Sequence, residues 1–254
     1  MNAAQSEALL SLRGIGKTFG GVRALSDVSI DVFPRQIVGV IGPNGAGKTS
    51  LFNVITGAYR ASAGEVVLDG RAVTQEPSHR IVRAGISRTF QNIRLFAGMT
   101  VWEHLIVAQP HRESQLRRLL PIRWADPQTL RRAQEVLEFF ELEDVKNRLA
   151  RSLPYGIQRK VEMARAVTAR PKLLLLDEPV AGMNHEEADA IRRLLFRLRD
   201  SGLSILLIEH DMSFVMTLCD YLYVLDFGIM IAKGRSEEVR TNPVVLDAYL
   251  GRSA

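Results

Sequence analysis

Between Gly42 and Ser50 the chain reads GPNGAGKTS. This fits G-x-x-x-x-G-K-[ST], with Gly42, Gly47, Lys48 and Thr49 in the fixed places. The chemistry such a pattern permits is the binding of a phosphate chain. Glycine lets the backbone wrap closely round the ligand, and successive N–H groups point inward at the start of a helix. The whole loop, Gly42, Pro43, Asn44, Gly45, Ala46, Gly47, Lys48, Thr49 and Ser50, is therefore expected to line a nucleotide. Lys48 would reach the β- and γ-phosphates, and Thr49 would give its hydroxyl to Mg2+.

A second stretch, LLLLDEP from Leu173 to Pro179, sets two carboxylates at the end of an apolar run. Strand ends of an open parallel sheet are where ligands meet side chains. Asp177 is suited to hold the metal ion through water. Glu178 is placed to polarise a water for in-line attack on the γ-phosphate.

These groups need a scaffold, and the surrounding pattern supplies one. Gln36–Ile41 is a continuous apolar run that reads as a buried strand feeding the loop, and Leu51, Val54 and Ile55 read as the helix that follows. Leu9–Ile15 and Val28–Val32 suggest paired strands, and Val66–Leu68 ends in an Asp69-Gly70 turn, so the first 87 residues are rich in strands. The middle of the chain is helical. Asp126-Pro127 reads as an N-cap with proline at the first helical position, followed by Leu130, Ala133, Val136, Leu137 and Phe140 at helical spacing. A further helix begins near Gly156 and carries Val161, Ala164 and Val167. Leu173–Leu176 and Ser204–Ile208 are then buried strands, separated by a helix through Ile191, Leu194, Leu195 and Leu198. Tyr221–Leu225 and Ile229–Ala232 flank a turn at Asp226-Phe227-Gly228. The outcome is an α/β domain with a helical insertion.

Composition narrows the function classes. Hydrophobic residues are 46% of 254, which excludes a disordered or fibrous chain. The single cysteine, Cys219, follows Phe214, Val215 and Leu218 at helical spacing and reads as buried packing, not as half of a disulfide. No stretch is apolar enough to span a membrane, and the N-terminus does not read as a secretory signal. The net charge is +5, with basic residues spread along helices at Arg117/Arg118, Arg131/Arg132 and Arg192/Arg193/Arg197/Arg199. Solvated helix faces explain these better than a nucleic-acid patch, since aromatics are not interleaved with them. GIGKTF is an incomplete dinucleotide fingerprint, Asp226-Phe227-Gly228 lacks the loop a kinase would need, and the five histidines lack zinc spacing.

The order of landmarks carries a resemblance. GPNGAGKTS is followed by RTFQ with Gln91, then SLPYGIQRKVEMARAV, LLLLDEP, AGMN and LLIEHD with His210. In this order the chain resembles the ATP-binding subunits of ABC transporters over essentially its whole length. The resemblance implies a RecA-like P-loop NTPase core with an antiparallel β subdomain and an inserted helical subdomain. Residues 1–254 would form one ATP-binding domain, with 1–87 and 166–254 as core and β subdomain and 88–165 as the helical subdomain. It further implies that Phe19 stacks on adenine, that Gln91 reaches the metal and attacking water, and that His210 contacts the γ-phosphate. Tyr155, Gly156 and Asn184 would meet nucleotide across a dimer.

Two positions depart from the family pattern. Asn184 stands where aspartate is usual, keeping the acceptor and losing the charge. Pro154 stands where the signature L-S-G-G-Q has its hydroxyl, and Leu153-Pro154-Tyr155-Gly156-Ile157 keeps only Gly156 and the helix-start amides to approach phosphate. Within the family, SRTFQNIRLFAGMTVWEHLIVA, LPYGIQRKVEMARA and TNPVVLDAYLG resemble importers of branched-chain and other hydrophobic amino acids. Expected partners are transmembrane permease subunits contacted through Ile93, Leu95 and Phe96, a second ATP-binding subunit (itself or a paralogue) and, indirectly, a solute-binding protein. No nucleic acid is expected, and the implied location is peripheral, on the cytoplasmic face of the inner membrane. The competing readings are an amide or urea importer subunit, a soluble ABC ATPase acting on nucleic acid or ribosomes, and a nucleotide-binding module that never hydrolyses; Glu178 argues against the last.

Overall fold

The computed structural model describes residues 7–109 and 126–250. The chain forms two sheets, and strands buried along their whole length occur only in the second. In the first, β1 (Leu10–Phe19) and β2 (Val22–Val32) form an antiparallel pair, and β4 (Ala63–Leu68) and β5 (Arg71–Ala72) complete the order β2-β1-β4-β5. The second uses β3 (Ile37–Ile41), β6 (Ile86–Arg88), β7 (Leu173–Asp177), β8 (Ser204–Ile208), β9 (Tyr221–Asp226) and β10 (Ile229–Gly234). Its order is β10-β9-β3-β8-β7-β6, parallel from β9 to β6 with β10 antiparallel at one edge.

Alternation along the parallel strands explains why both faces are covered. Ile37, Ile41, Leu174, Leu176, Ile205 and Leu207 enter one apolar cluster, while Val38, Val40, Leu173, Leu175, Leu206 and Ile208 enter the other. Each such side chain contributes about 1.5–3 kcal/mol on burial. The second cluster joins the small sheet to α1 (Lys48–Ile55), the helix after the phosphate loop. The first cluster lies under the helices. These include α3 (Val101–Val107), α4 (Pro127–Phe139) and α5 (Tyr155–Thr168), which pack together. They also include α6 (His185–Asp200), between β7 and β8, and α7 (Met212–Leu218), between β8 and β9. The short α2 (Ser78–Ala84) precedes β6, and α8 (Ser236–Arg240) and α9 (Pro243–Leu250) follow β10.

The expected elements are present, several of them longer than the sequence pattern showed. The strand-rich opening also holds α2, which buries only Ile81 and so shows no helical period, and β6, which is three residues long. Asp126 caps α4 through the N–H groups of Gln128 and Thr129, with Pro127 at the first position. Phe227-Gly228 is a tight hairpin turn with both residues at positive φ. Cys219 is buried, and burial pushes its thiol pKa far up, which makes it inert packing. Arg131, Arg192, Arg197 and Arg199 pair with acids on the surface, as solvated helix faces do; Arg117 and Arg118 lie outside the described residues. Among the described residues no helix is long and apolar enough to cross a membrane.

Candidate nucleotide site

The phosphate loop is held by backbone contacts that only glycine permits. Gly42 leaves β3 at φ +148, and a Cβ there would lie 2.0 Å from the Leu225 carbonyl oxygen on β9. Gly47, at φ +97, would set a Cβ 2.6 Å from Ala24 O on β2. Between them, buried Ala46 accepts from Gly228 N–H at 3.0 Å, and Gly228 O accepts from Ser26 N–H at 2.8 Å. The loop is thus fastened to the β9–β10 turn and, through it, to β2. Gly45, Asn44 and Thr49 remain exposed, and Pro43 and Ser50 are half-buried. Lys48 is buried, and its Nζ donates to Gly42 O at 2.6 Å and Pro43 O at 2.9 Å. Burial lowers its pKa, and the Glu178 and Asp177 carboxylates oppose that.

The carboxylates sit where β7 ends. Asp177 is buried, and its Oδ2 accepts from Arg88 Nη2 at 2.8 Å. Arg88 also donates to Asn53 on α1, and its guanidinium lies 5.4 Å from the Phe52 ring and 5.1 Å from the Phe90 ring. Glu178 turns off the strand at φ +48, with its N–H bonded to Ile208 O. Its Oε2 accepts from Gln91 Nε2 at 2.9 Å, and its Oε1 lies 3.7 Å from His210 Nδ1. Gln91, Glu178 and His210 follow β6, β7 and β8, which are neighbours in the sheet, and that adjacency brings residues distant in sequence together.

The remaining expected site residues lie apart from the loop. Tyr155 and Gly156 start α5, and Asn184 caps α6; among the described residues none of the three is hydrogen-bonded to the phosphate loop. Pro154 offers α5 no side-chain cap, so the first-turn N–H groups have no side-chain acceptor there. Gly156 lies close to the first turn of α6, where an added Cβ would stand 3.1 Å from Glu187 Oε1. Asn184 Oδ1 accepts from Glu187 N–H, and the Glu187 carboxylate accepts from Asn184 N–H, a reciprocal cap. Phe19 is 41% exposed, with its ring centroid 5.1 Å from that of Tyr59, edge-on, and Lys17 Nζ 4.7 Å above it.

Three groups near the site escaped sequence reasoning. Arg88 occupies a strand too short to show a pattern. Tyr59 has no signal of its own and is recognisable only beside Phe19. Glu209 is the third, fully buried at the end of β8. Its Oε1 accepts from Val180 N–H at 3.1 Å and its Oε2 from His210 N–H at 3.0 Å. It therefore ties the loop after Glu178 to the loop bearing His210, and burial pushes its pKa up. The available signal was a carboxylate directly after four apolar residues, Ile205–Ile208.

A P-loop on a parallel sheet, with a strand-end carboxylate pair and an inserted helical layer, defines an ATP-binding cassette. The family model for the ABC transporter matches residues 25–181, and a second, for the branched-chain amino acid ATP-binding cassette transporter, matches 230–254. The chain belongs to the ABC transporter ATP-binding family and is an ATPase subunit of a transport system. It is 42% identical, over 98% of its length and 100% of the relative, to the high-affinity branched-chain amino acid transport ATP-binding protein BraF of Pseudomonas aeruginosa. The same identity and coverage hold for the high-affinity branched-chain amino acid transport ATP-binding protein LivG of Escherichia coli K12. A solved ATP-binding cassette of an ABC transporter, in its ADP conformation, superposes with a TM-score of 0.87 at 34% identity, over 97% of this chain and 100% of that one.

Proposed function

We propose that this chain hydrolyses ATP to power import of branched-chain or other hydrophobic amino acids, with Glu178 as the general base. The observation that carries the chemistry is the convergence on Glu178. Gln91 donates to one of its carboxylate oxygens while the other faces His210, and the buried Lys48 lies within their electrostatic reach. A carboxylate so oriented can take the proton of a water attacking the γ-phosphate. Lys48 would exchange its two loop carbonyls for phosphate oxygens, a charge-assisted bond in place of neutral acceptors. The rest of Gly42–Ser50 presents backbone N–H groups to the phosphates, Phe19 with Tyr59 offers the base an aromatic face, and His210 is available to the γ-phosphate.

The donors near the phosphates fit Mg2+. Thr49, Asp177 and Gln91 offer hard oxygens, and among the described residues no cluster of His, Cys, Asp or Glu could hold a metal by itself. An ion there needs phosphate oxygens and water to complete its shell, which suits Mg2+ arriving with ATP. When bound it supplies charge neutralisation on the phosphates. Arg88 holds the Asp177 carboxylate in one orientation for that purpose.

Tyr155, Gly156 and Asn184 are proposed to act across a dimer, with a second copy or a paralogous subunit. Moving such a dimer from 1:99 to 99:1 closed needs about 5.5 kcal/mol of differential nucleotide affinity. Residues 88–165 would form the helical subdomain, and 1–87 with 166–254 the core. Of the three residues proposed to meet the permease, Phe96 is 56% exposed, while Ile93 and Leu95 are half-buried. The subunit would act peripherally on the cytoplasmic face of the inner membrane, beneath a permease fed by a solute-binding protein. The amino-acid assignment is supported by the relatives' names and the C-terminal family match, not by any group that touches solute.

The test is ATP turnover and size-exclusion chromatography of the wild type and Glu178→Gln in ATP and Mg2+. Turnover by the wild type, with a silent but dimeric Glu178→Gln, is the expected result. Wild-type turnover by Glu178→Gln would remove Glu178 as the base.

A further inference from the structure

Arg159 and Glu162 on α5 are both fully buried and form an ion pair at 2.8 Å. A buried ion pair carries a large desolvation cost, and packed apolar residues of similar volume often serve stability as well. What distinguishes this pair is where its other bonds go. Arg159 Nη1 donates to Phe90 O at 2.8 Å, and Nη2 donates to Gln91 O at 2.8 Å. Glu162 Oε1 accepts from Arg94 N–H at 3.3 Å, and Arg165 Nη1 donates to Arg94 O at 2.5 Å. Residues on one helix therefore grip the backbone of Phe90–Arg94, the segment that presents Gln91 to Glu178. The fourth terminal N–H of Arg159 goes to the Tyr155 hydroxyl at 3.1 Å, and the Tyr155 residue is 43% exposed.

We propose that Arg159 and Glu162 are positioning residues for Gln91, and that the Tyr155 hydroxyl is the outer end of the same network. Holding two successive carbonyls, Phe90 O and Gln91 O, with one planar guanidinium orients the two peptide groups that flank the Gln91 Cα. That in turn sets the direction in which the Gln91 side chain leaves the backbone. A lysine ammonium has no such fork. The buried Nε of Arg159 has no hydrogen-bond partner, so the guanidinium is oriented by its terminal nitrogens at the expense of that group. A contact that displaces the Tyr155 ring would then be transmitted through Arg159 and the Gln91 backbone to the Glu178 carboxylate. The inference rests on the proposed function, in which Gln91 and Glu178 serve hydrolysis and the start of α5 meets the other subunit's nucleotide. On that basis one subunit's contact with a neighbouring nucleotide adjusts the geometry of its own base.

Tyr155→Phe removes one hydroxyl and keeps the ring. The expected result is a kcat lower by about five-fold, the worth of one hydrogen bond, with affinity for a fluorescent ATP analogue within about two-fold of wild type. Arg159→Lys keeps the charge and loses the fork, and kcat should fall by about thirty-fold with KM little changed. The decisive readout is a cycle with Gln91→Ala, in which Tyr155→Phe should have no further effect on kcat. Additive losses would mean a merely structural role and overturn the proposal. Hydrogen exchange at the Arg94 amide needs no turnover; it should quicken in Tyr155→Phe, and unchanged exchange there would also overturn it. The two levels fail differently. If Glu178→Gln keeps wild-type turnover, the functional reading falls while exchange still judges the network. If Glu178→Gln is silent and both Tyr155→Phe and Arg159→Lys keep wild-type kcat, the network alone is wrong.

Discussion

At the phosphate loop, backbone meets backbone. Cβ atoms on Gly42 and Gly47 would collide with the carbonyl oxygens of Leu225 and Ala24, and Ala46 is bonded directly to the β9–β10 turn. At Glu178, side chain meets side chain: Gln91 arrives from a segment whose backbone is gripped by a buried ion pair on α5, and His210 from a loop held by buried Glu209. The first region is pinned at Gly42 and Gly47, where nothing larger than hydrogen fits. The second is held by polar groups, each of which can be removed singly without a steric clash. Phosphate binding and hydrolysis should therefore be separable by mutation, with the loop sensitive to volume and the Glu178 region sensitive to charge and hydrogen bonding.

The largest effect expected is at the chemistry itself. Glu178→Gln should lower kcat by about 100- to 10,000-fold, with nucleotide affinity retained, in a single-turnover assay. Loss of binding together with turnover would merge the two regions. Next comes Glu162→Gln, which leaves the Arg159 charge buried without its counterion. Urea denaturation should show a loss of about 3–5 kcal/mol. The paired change Arg159→Met with Glu162→Leu should recover most of that stability but not the turnover, since packing is restored and the grip on Gln91 is not. Recovery of both would show that the pair only fills space. At the loop, Gly42→Ala should cost about 3 kcal/mol or more and abolish nucleotide binding, because its Cβ meets backbone that cannot swing away. Gly45→Ala, with nothing within 4 Å of the added Cβ, should cost only about 1 kcal/mol for its positive φ. Equal effects of the two would mean that conformation, not contact, constrains the loop.

The same division decides what could be read from residues alone. GPNGAGKTS is legible because its mechanism is local: strand, glycine turn and helix start are consecutive, and each residue type has one physical job. Asp177 and Glu178 are legible as acids ending an apolar run. Arg88 and Glu209 are not, because their partners, Asp177, Asn53 and Val180, come from other elements and no period reveals them. Arg159 and Glu162 lie at i and i+3 on a helix, where the default reading is a surface pair; only packing shows that both are at 0% exposure. The fold was legible wherever apolar periodicity was strong, as in β3, β7, β8 and α6. It was hidden in β6 and α2, whose placement depends on the sheet edge they meet and not on their own sequence.

Asp126 supplies the smallest effect and a control outside both regions. It is the N-cap of α4, half-buried, and its carboxylate accepts from the Thr129 hydroxyl and from the N–H groups of Thr129 and Gln128. Those bonds, the Thr129 hydroxyl first, hold its pKa below the usual 3.8. The folded state therefore binds this proton more weakly than the unfolded chain does. Its contribution is complete above the unfolded pKa and is lost as pH falls through the folded value. Asp126→Ala should cost about 1 kcal/mol at neutral pH, with turnover unchanged. Asp126→Asn caps without titrating, so any gap in Tm between wild type and Asp126→Asn should shift in favour of asparagine as pH is lowered toward about 3. A gap that does not move with pH would mean that the carboxylate's charge adds nothing to the cap. A fall in turnover on either substitution would mean that α4 reaches the Gln91 segment through its packing on α3 and α5, and that the grip on Gln91 is wider than the three side chains of α5.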